Sequence, residues 1–141
     1  MNLSGNLYHK TQLDFAYNTN HLEGSTITPD ETASIYDTGT ILTNSDKVIV
    51  LKDATETKNH FTLFKYMLDT IEDKLSEEMI KKFHFLLKEG TLTDSKKEWF
   101  NVGEYKKIKN FVGSITTSLP NNVASDMKKL LSWYDQIAKK Q

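Results

Sequence analysis

One stripe of side chains constrains this chain more than any other feature. Val50, Ala54, Thr57, Phe61, Phe64, Leu68 and Ile71 recur at alternating steps of four and three residues, which places them on one face of an α-helix. The stripe predicts a long helix whose apolar face lies at the centre of a core. Asn59 and His60 fall on its polar side. A solvated face is expected for them, with a position facing a cleft as the alternative.

The other segments read as helices around this one. Between His9 and Leu22 the residues Leu13, Ala16, Tyr17 and Asn20 keep helical spacing, with Phe15 and Leu22 seven apart. Thr28-Pro29-Asp30-Glu31 has a hydroxyl cap, proline at the first helical position and a glutamate three residues after the cap, so a capping box starts a short helix from Pro29 to about Asp37. Gly39 stops it. After a polar loop at Thr43, Asn44 and Ser45 comes the long stripe, then a helix from Glu77 to Lys88 with Ser76 as its cap and Gly90 as its stop. Met79, Ile80, Phe83, Leu86 and Leu87 are expected to face inward. From Thr91 to Pro120 the pattern breaks. Trp99, Phe100, Val102, Tyr105, Ile108, Phe111, Val112 and Ile115 lie scattered among Gly103, Gly113 and polar residues, which suits a β-hairpin or an ordered loop. Beyond Pro120, Val123, Met127, Leu130, Leu131, Tyr134, Ile137 and Ala138 restore a helical face. The expected architecture is mainly α, a single domain over 1–141 with one β excursion.

Composition removes several chemistries. A chain of 141 residues is long enough to bury a core of its own. It holds no cysteine, hence no thiol nucleophile, disulfide framework or thiolate metal site. With 18 basic and 19 acidic residues there is no overall electrostatic footprint for nucleic acid. Trp99 and Phe100 beside Lys96 and Lys97 could stack single-stranded bases, but no wider basic surface supports them, so no nucleic-acid partner is expected. All the basic residues are lysines, so no guanidinium fork is available for phosphate or carboxylate. His9, His21, His60 and His84 form no close metal-ligand pattern, and His84 reads as a packed or capping group. No stretch approaches membrane-spanning length or a targeting signal. No membrane partner is expected, and a cytoplasmic location follows by default.

Thr19-Asn20-His21-Leu22-Glu23-Gly24 stands apart. On a helix Thr19 and Glu23 are one turn apart on one face, and Gly24 is a natural C-terminal stop. A carboxylate is disfavoured at that end of a helix. Glu23 is therefore either a solvated surface acid or a group offered to something that docks there.

Three stretches together resemble the Fic domain family, whose members transfer AMP from ATP to hydroxyl side chains of target proteins. Thr19, Glu23 and Gly24 resemble its inhibitory motif, and the likeness extends over Asn18 to Thr28. Phe83-His84-Phe85-Leu86-Leu87-Lys88-Glu89-Gly90-Thr91 is similar to the helix that precedes the family's flap. Val102-Gly103-Glu104-Tyr105-Lys106, followed by Asn110-Phe111-Val112-Gly113-Ser114, resembles the flap hairpin that holds a target segment by strand pairing. The likeness runs from about Thr11 to Trp133.

The resemblance implies a Fic-like helical domain with an inhibitory helix at 9–24, core helices over 49–90, a flap hairpin at 99–115 and a helix at 121–140. It implies an inhibitory role for Thr19, Glu23 and Gly24, and target docking for Gly103, Glu104, Tyr105 and Lys106. Two departures stand out. Lys106 occupies a place where the family usually has arginine. The family's His-Pro-Phe signature, with its glycine- and asparagine-rich turn and arginines, is not in this chain, whose two prolines follow Thr28 and Leu119. The expectation is a domain whose C-terminal catalytic helices are missing, with no catalytic residue and no metal ligand of its own, inactive alone. ATP and Mg²⁺ are expected only for a complete domain. The expected partners are a target segment at the flap, and either the catalytic segment or a second copy over an apolar patch led by Phe61, Phe64, Leu68 and Leu131. A non-catalytic helical module that binds a peptide strand along the flap is the alternative.

Overall fold

Among the described residues five helices and one hairpin succeed one another as α1 (Leu7–Leu22), α2 (Pro29–Thr38), α3 (Leu51–Asp69), α4 (Glu77–Lys88), β1 (Phe111–Val112), β2 (Ile115–Thr116) and α5 (Pro120–Ala138). This is a computed structural model that describes residues 7–43, 46–91 and 101–138. Asn44, Ser45, Lys96, Lys97, Trp99 and Phe100 lie outside the described residues, as does the last part of the helix expected over 121–140.

Local chemistry explains where the helices begin and end. Thr28 accepts from the Glu31 amide at 3.2 Å, and the Glu31 carboxylate accepts from the Thr28 amide at 2.8 Å, closing the capping box of α2. Ser76 accepts from the Met79 amide at the start of α4. Asn59 of α3 donates to the carbonyls of Leu87 and Glu89 at 2.9 and 2.8 Å, satisfying acceptors that the end of α4 leaves open.

The chain divides into two compact units, parted between Ile71 and Glu72 and again between Phe85 and Leu86. In the first, α1, α2 and α3 pack pairwise. Among the described residues its buried apolar residues are Ala16, Ile27, Ile35 and Leu63, and more polar ones are buried beside them, including Gln12, Asn20, Thr32, Thr57, His60 and Thr91 at 4% exposure or less. This corrects the expected core. On α3 the face that is covered runs through Glu56, Thr57, His60 and Leu63, while Leu68 is 39% and Ile71 69% exposed, and Phe61 and Phe64 are half-buried. His60 is therefore not on a solvated face, and Asn59 is held by the end of α4. Hydrogen bonds such as that from Asn20 to Thr57 offset the cost of burying polar groups, so burial does not have to follow the apolar stripe. On α1, Gln12, Ala16 and Asn20, four residues apart, turn inward. Leu22 is 87% exposed.

The second unit contains most of α4, the hairpin and α5. Phe111 pairs with Thr116 and Val112 with Ile115, antiparallel, around a turn at Gly113-Ser114. The strands are two residues long, and Val102 to Glu104 form a turn, with Tyr105 and Lys106 in neither helix nor strand. Among the described residues of this unit none is fully buried. On α4 the residues expected inward are half-buried, and on α5 Leu130, Trp133, Tyr134 and Ile137 are 42–58% exposed. Helical period gives the direction of an apolar face and says nothing about how completely it is covered.

Candidate functional site

Two places hold the residues singled out by the sequence, one in each unit. The first is the end of α1. Gly24 has φ +90°, a backbone conformation that L side chains rarely adopt. Its amide donates to His21 and that of Ser25 to Asn20, both at 3.0 Å. These two bonds are the Schellman closure of a helix, with Glu23 at the cap and Gly24 just beyond it. Glu23 thus leaves the helix at its last turn with its side chain exposed.

What holds this end in place is a buried polar pair. Asn20 Nδ2 donates to Thr57 Oγ1 at 2.9 Å, and Thr57 Oγ1 donates to the Asp53 carbonyl at 2.8 Å. Farther back along α1, Gln12 Nε2 donates to the Tyr36 hydroxyl at 3.2 Å. Each removes a buried polar group from the cost of standing unpaired. Thr19 is half-buried on the turn before Glu23. Among the described residues the Thr19 hydroxyl and the Glu23 carboxylate make no hydrogen bond, and Glu23 makes no ion pair. The carboxylate is a rigidly based, unengaged acceptor.

The second place is Gly103 to Lys106, seated on α4. Glu77, Lys81, His84 and Phe85 share one helical face. The Gly103 amide donates to His84 Nδ1 at 3.0 Å. The Tyr105 hydroxyl donates to Glu77 Oε2 at 2.8 Å, and burial, with that carboxylate, pushes its pKa up to about 12. Tyr105 is a fixed donor and supplies no base near neutral pH. The Lys81 ammonium lies 4.6 Å from the centre of the Tyr105 ring and 3.5 Å from Glu104. Lys106 reaches Asn110 Oδ1 and Thr117 Oγ1, next to the strands. His84, Asn101, Tyr105, Lys106 and Ile108 line a cavity of about 270 Å³ here.

Glycine at 103 is required twice over. Its φ is +79°, and a Cβ there would come within 3.1 Å of Phe85 Cβ. Gly103→Ala should cost about 1 to 3 kcal/mol from the left-handed backbone and the contact together. Urea unfolding followed by circular dichroism will read this as a lower midpoint, and an unchanged midpoint contradicts it.

Several of these residues were not singled out by the sequence. Gln12 could have been, because with Asn20 it flanks Ala16 on one face, and two amides so placed mark a polar buried stripe. Glu56, in ionic contact with Lys88 at 2.9 Å, and His84 as an acceptor carry no such local signal. Among the described residues no three His, Asp or Glu side chains gather to hold a metal ion, and no helix is long and apolar enough to cross a membrane. With no arginine in the chain, no guanidinium fork is present to grip a phosphate.

No family model matches this chain, and no curated protein does. Among solved structures it is similar to a Fic domain containing signaling protein from Bacteroides thetaiotaomicron, with 28% sequence identity and a TM-score of 0.76 over 93% of this chain. The match covers 48% of that protein's chain, so these residues span about half its length. Mainly helical, with a two-stranded antiparallel hairpin between α4 and α5, the chain has a Fic-like fold.

Proposed function

We propose that this chain is the regulatory and target-docking part of a Fic-type protein adenylyltransferase, autoinhibited through Glu23. The observation that carries the proposal is the exposed Glu23 carboxylate on a helix end closed by Gly24 and pinned by Asn20, in a chain of Fic-like fold. Adenylyl transfer joins a target hydroxyl oxygen to the α-phosphorus of ATP and releases pyrophosphate. The base, the phosphate grip and the arginine that Glu23 would engage are assigned to a His-Pro-Phe segment that these residues do not contain. Their own tasks are to present Glu23 and to hold Gly103 to Lys106 for a target segment. Thr19 is assigned the orienting of Glu23. Leu68 on α3 and Leu131 on α5 belong to apolar surface assigned to the catalytic segment or a second copy.

A second reading, a non-catalytic module that pairs with a peptide strand, is favoured by the hairpin, where Phe111, Val112 and Ile115 are 64–69% exposed. Radiolabelled ATP separates the two. A polypeptide carrying these residues together with a His-Pro-Phe segment should label added proteins from the α-phosphate and not from the γ-phosphate. Label from the γ-position, or from neither, contradicts adenylyl transfer.

A further inference from the structure

We infer that His84 is a positioning residue: its Nδ1 sets the backbone of the Gly103–Lys106 segment before any target arrives. This assignment of purpose rests on the docking role proposed above. The geometry itself is independent of that role.

A short segment without strand partners has no ladder to hold it, and its backbone would sample many conformations at an entropic cost of roughly 1 to 2 kcal/mol per residue when it is finally ordered. Here α4 has ordered it already. The Gly103 amide is held by His84 at 3.0 Å, a Cβ at 103 would stand 3.1 Å from Phe85 Cβ, and Tyr105 is tied to Glu77 at 2.8 Å. These contacts come from successive turns of one helix face, so they fix both the direction and the register of the segment. The His84 contact differs from the others in kind. It is the one that grips main chain, and it requires an unprotonated Nδ1, so the ring proton of neutral His84 sits on Nε2. A segment set in this way would meet a target strand without having to order itself first, which is the general advantage of preorganisation.

The test uses the 141-residue chain and amide hydrogen exchange resolved by NMR. Asparagine can place Oδ1 close to where histidine places Nδ1, whereas leucine offers no acceptor. His84→Leu should speed exchange of the Gly103 amide by roughly twofold to tenfold, the worth of one net hydrogen bond, and leave α5 amides unchanged. His84→Asn should restore protection to within twofold of the parent. Unchanged exchange at Gly103 in His84→Leu overturns the inference. So does a failure of His84→Asn to rescue, or a loss of protection spread evenly through α4 and α5, since that marks a merely structural side chain. In a polypeptide that also carries a His-Pro-Phe segment, His84→Leu should raise KM for the target protein severalfold with kcat within twofold. Lost Gly103 protection with unchanged KM would uphold the pin and reject the docking role.

Discussion

Replacing Glu23 with glycine, in a polypeptide that joins these residues to a His-Pro-Phe segment, should raise AMP labelling of added target proteins by ten- to a hundredfold. The magnitude follows from the contact that is lost. A charge-assisted, partly buried carboxylate–guanidinium pair is worth about 1.5 to 3 kcal/mol, and each 1.4 kcal/mol is about a factor of ten. Two features show that this carboxylate is not an anchor of the fold. Glu23 is exposed, and the helix end is closed by the backbone bonds of Gly24 and Ser25, so stability should hardly change. Glycine at 23 adds some backbone freedom at a helix end, a cost of about 1 kcal/mol at most. Equal labelling by variant and parent would reject autoinhibition.

Acid is expected to weaken the first unit through His60. The ring is 2% exposed, and among the described residues its Nδ1 has no hydrogen-bond partner. Burial lowers its pKa from 6.5 to about 4, with Glu56 opposing the fall and Lys88 adding to it. Between those values the unfolded chain binds a proton that the folded chain refuses, so stability falls as the pH drops from about 6.5 towards 4 and this contribution levels off below. Between pH 7 and 4.5 it amounts to roughly 2 to 3 kcal/mol, at about 1.4 kcal/mol per pH unit.

His60→Leu should abolish that loss. It also removes a buried polar atom that has no partner, so its stability at pH 7 should lie within about 1 kcal/mol of the parent despite the lost edge contact with Phe15. Urea titrations of both proteins at pH 7 and pH 4.5 provide the comparison. Parallel losses in the two would mean that carboxylates such as Glu31, where burial raises the pKa but the bonds to Lys47 and Thr28 together lower it further, account for all of the acid sensitivity.

How much of this was legible depended on the distance between partners. The start of α2 was readable because Thr28, Pro29 and Glu31 are neighbours, and their bonds close within one turn. The end of α1 was readable for the same reason, since Gly24 and the residues it bonds lie within four positions. The pair that seats that end was not, because Asn20 and Thr57 are 37 residues apart, and nothing in either neighbourhood names the other. The long stripe identified α3 as a helix but misjudged its buried face. Thr57 did turn inward, for its hydroxyl rather than its methyl group, while Ile71 remained outside.

The second unit was harder to read. Gly103, Glu104, Tyr105 and Lys106 were singled out through likeness to a family pattern, in a stretch read as a β-hairpin or an ordered loop, and here side chains of α4 hold them. Short strands around Gly113 carry little periodic signal. His84 was read as a packed or capping group, and it does satisfy a main-chain amide, but on a segment 19 residues away.

By pairing with an arginine of the His-Pro-Phe segment, Glu23 is proposed to obstruct only the place that the terminal phosphate of ATP needs. Calorimetric titration with ATP and with ADP, on the parent and on Glu23→Gly of a polypeptide that also carries the His-Pro-Phe segment, tests it most directly. The account predicts that the variant binds ATP tighter by about tenfold or more and binds ADP as the parent does. An equal change for both nucleotides, or no change for either, would contradict it.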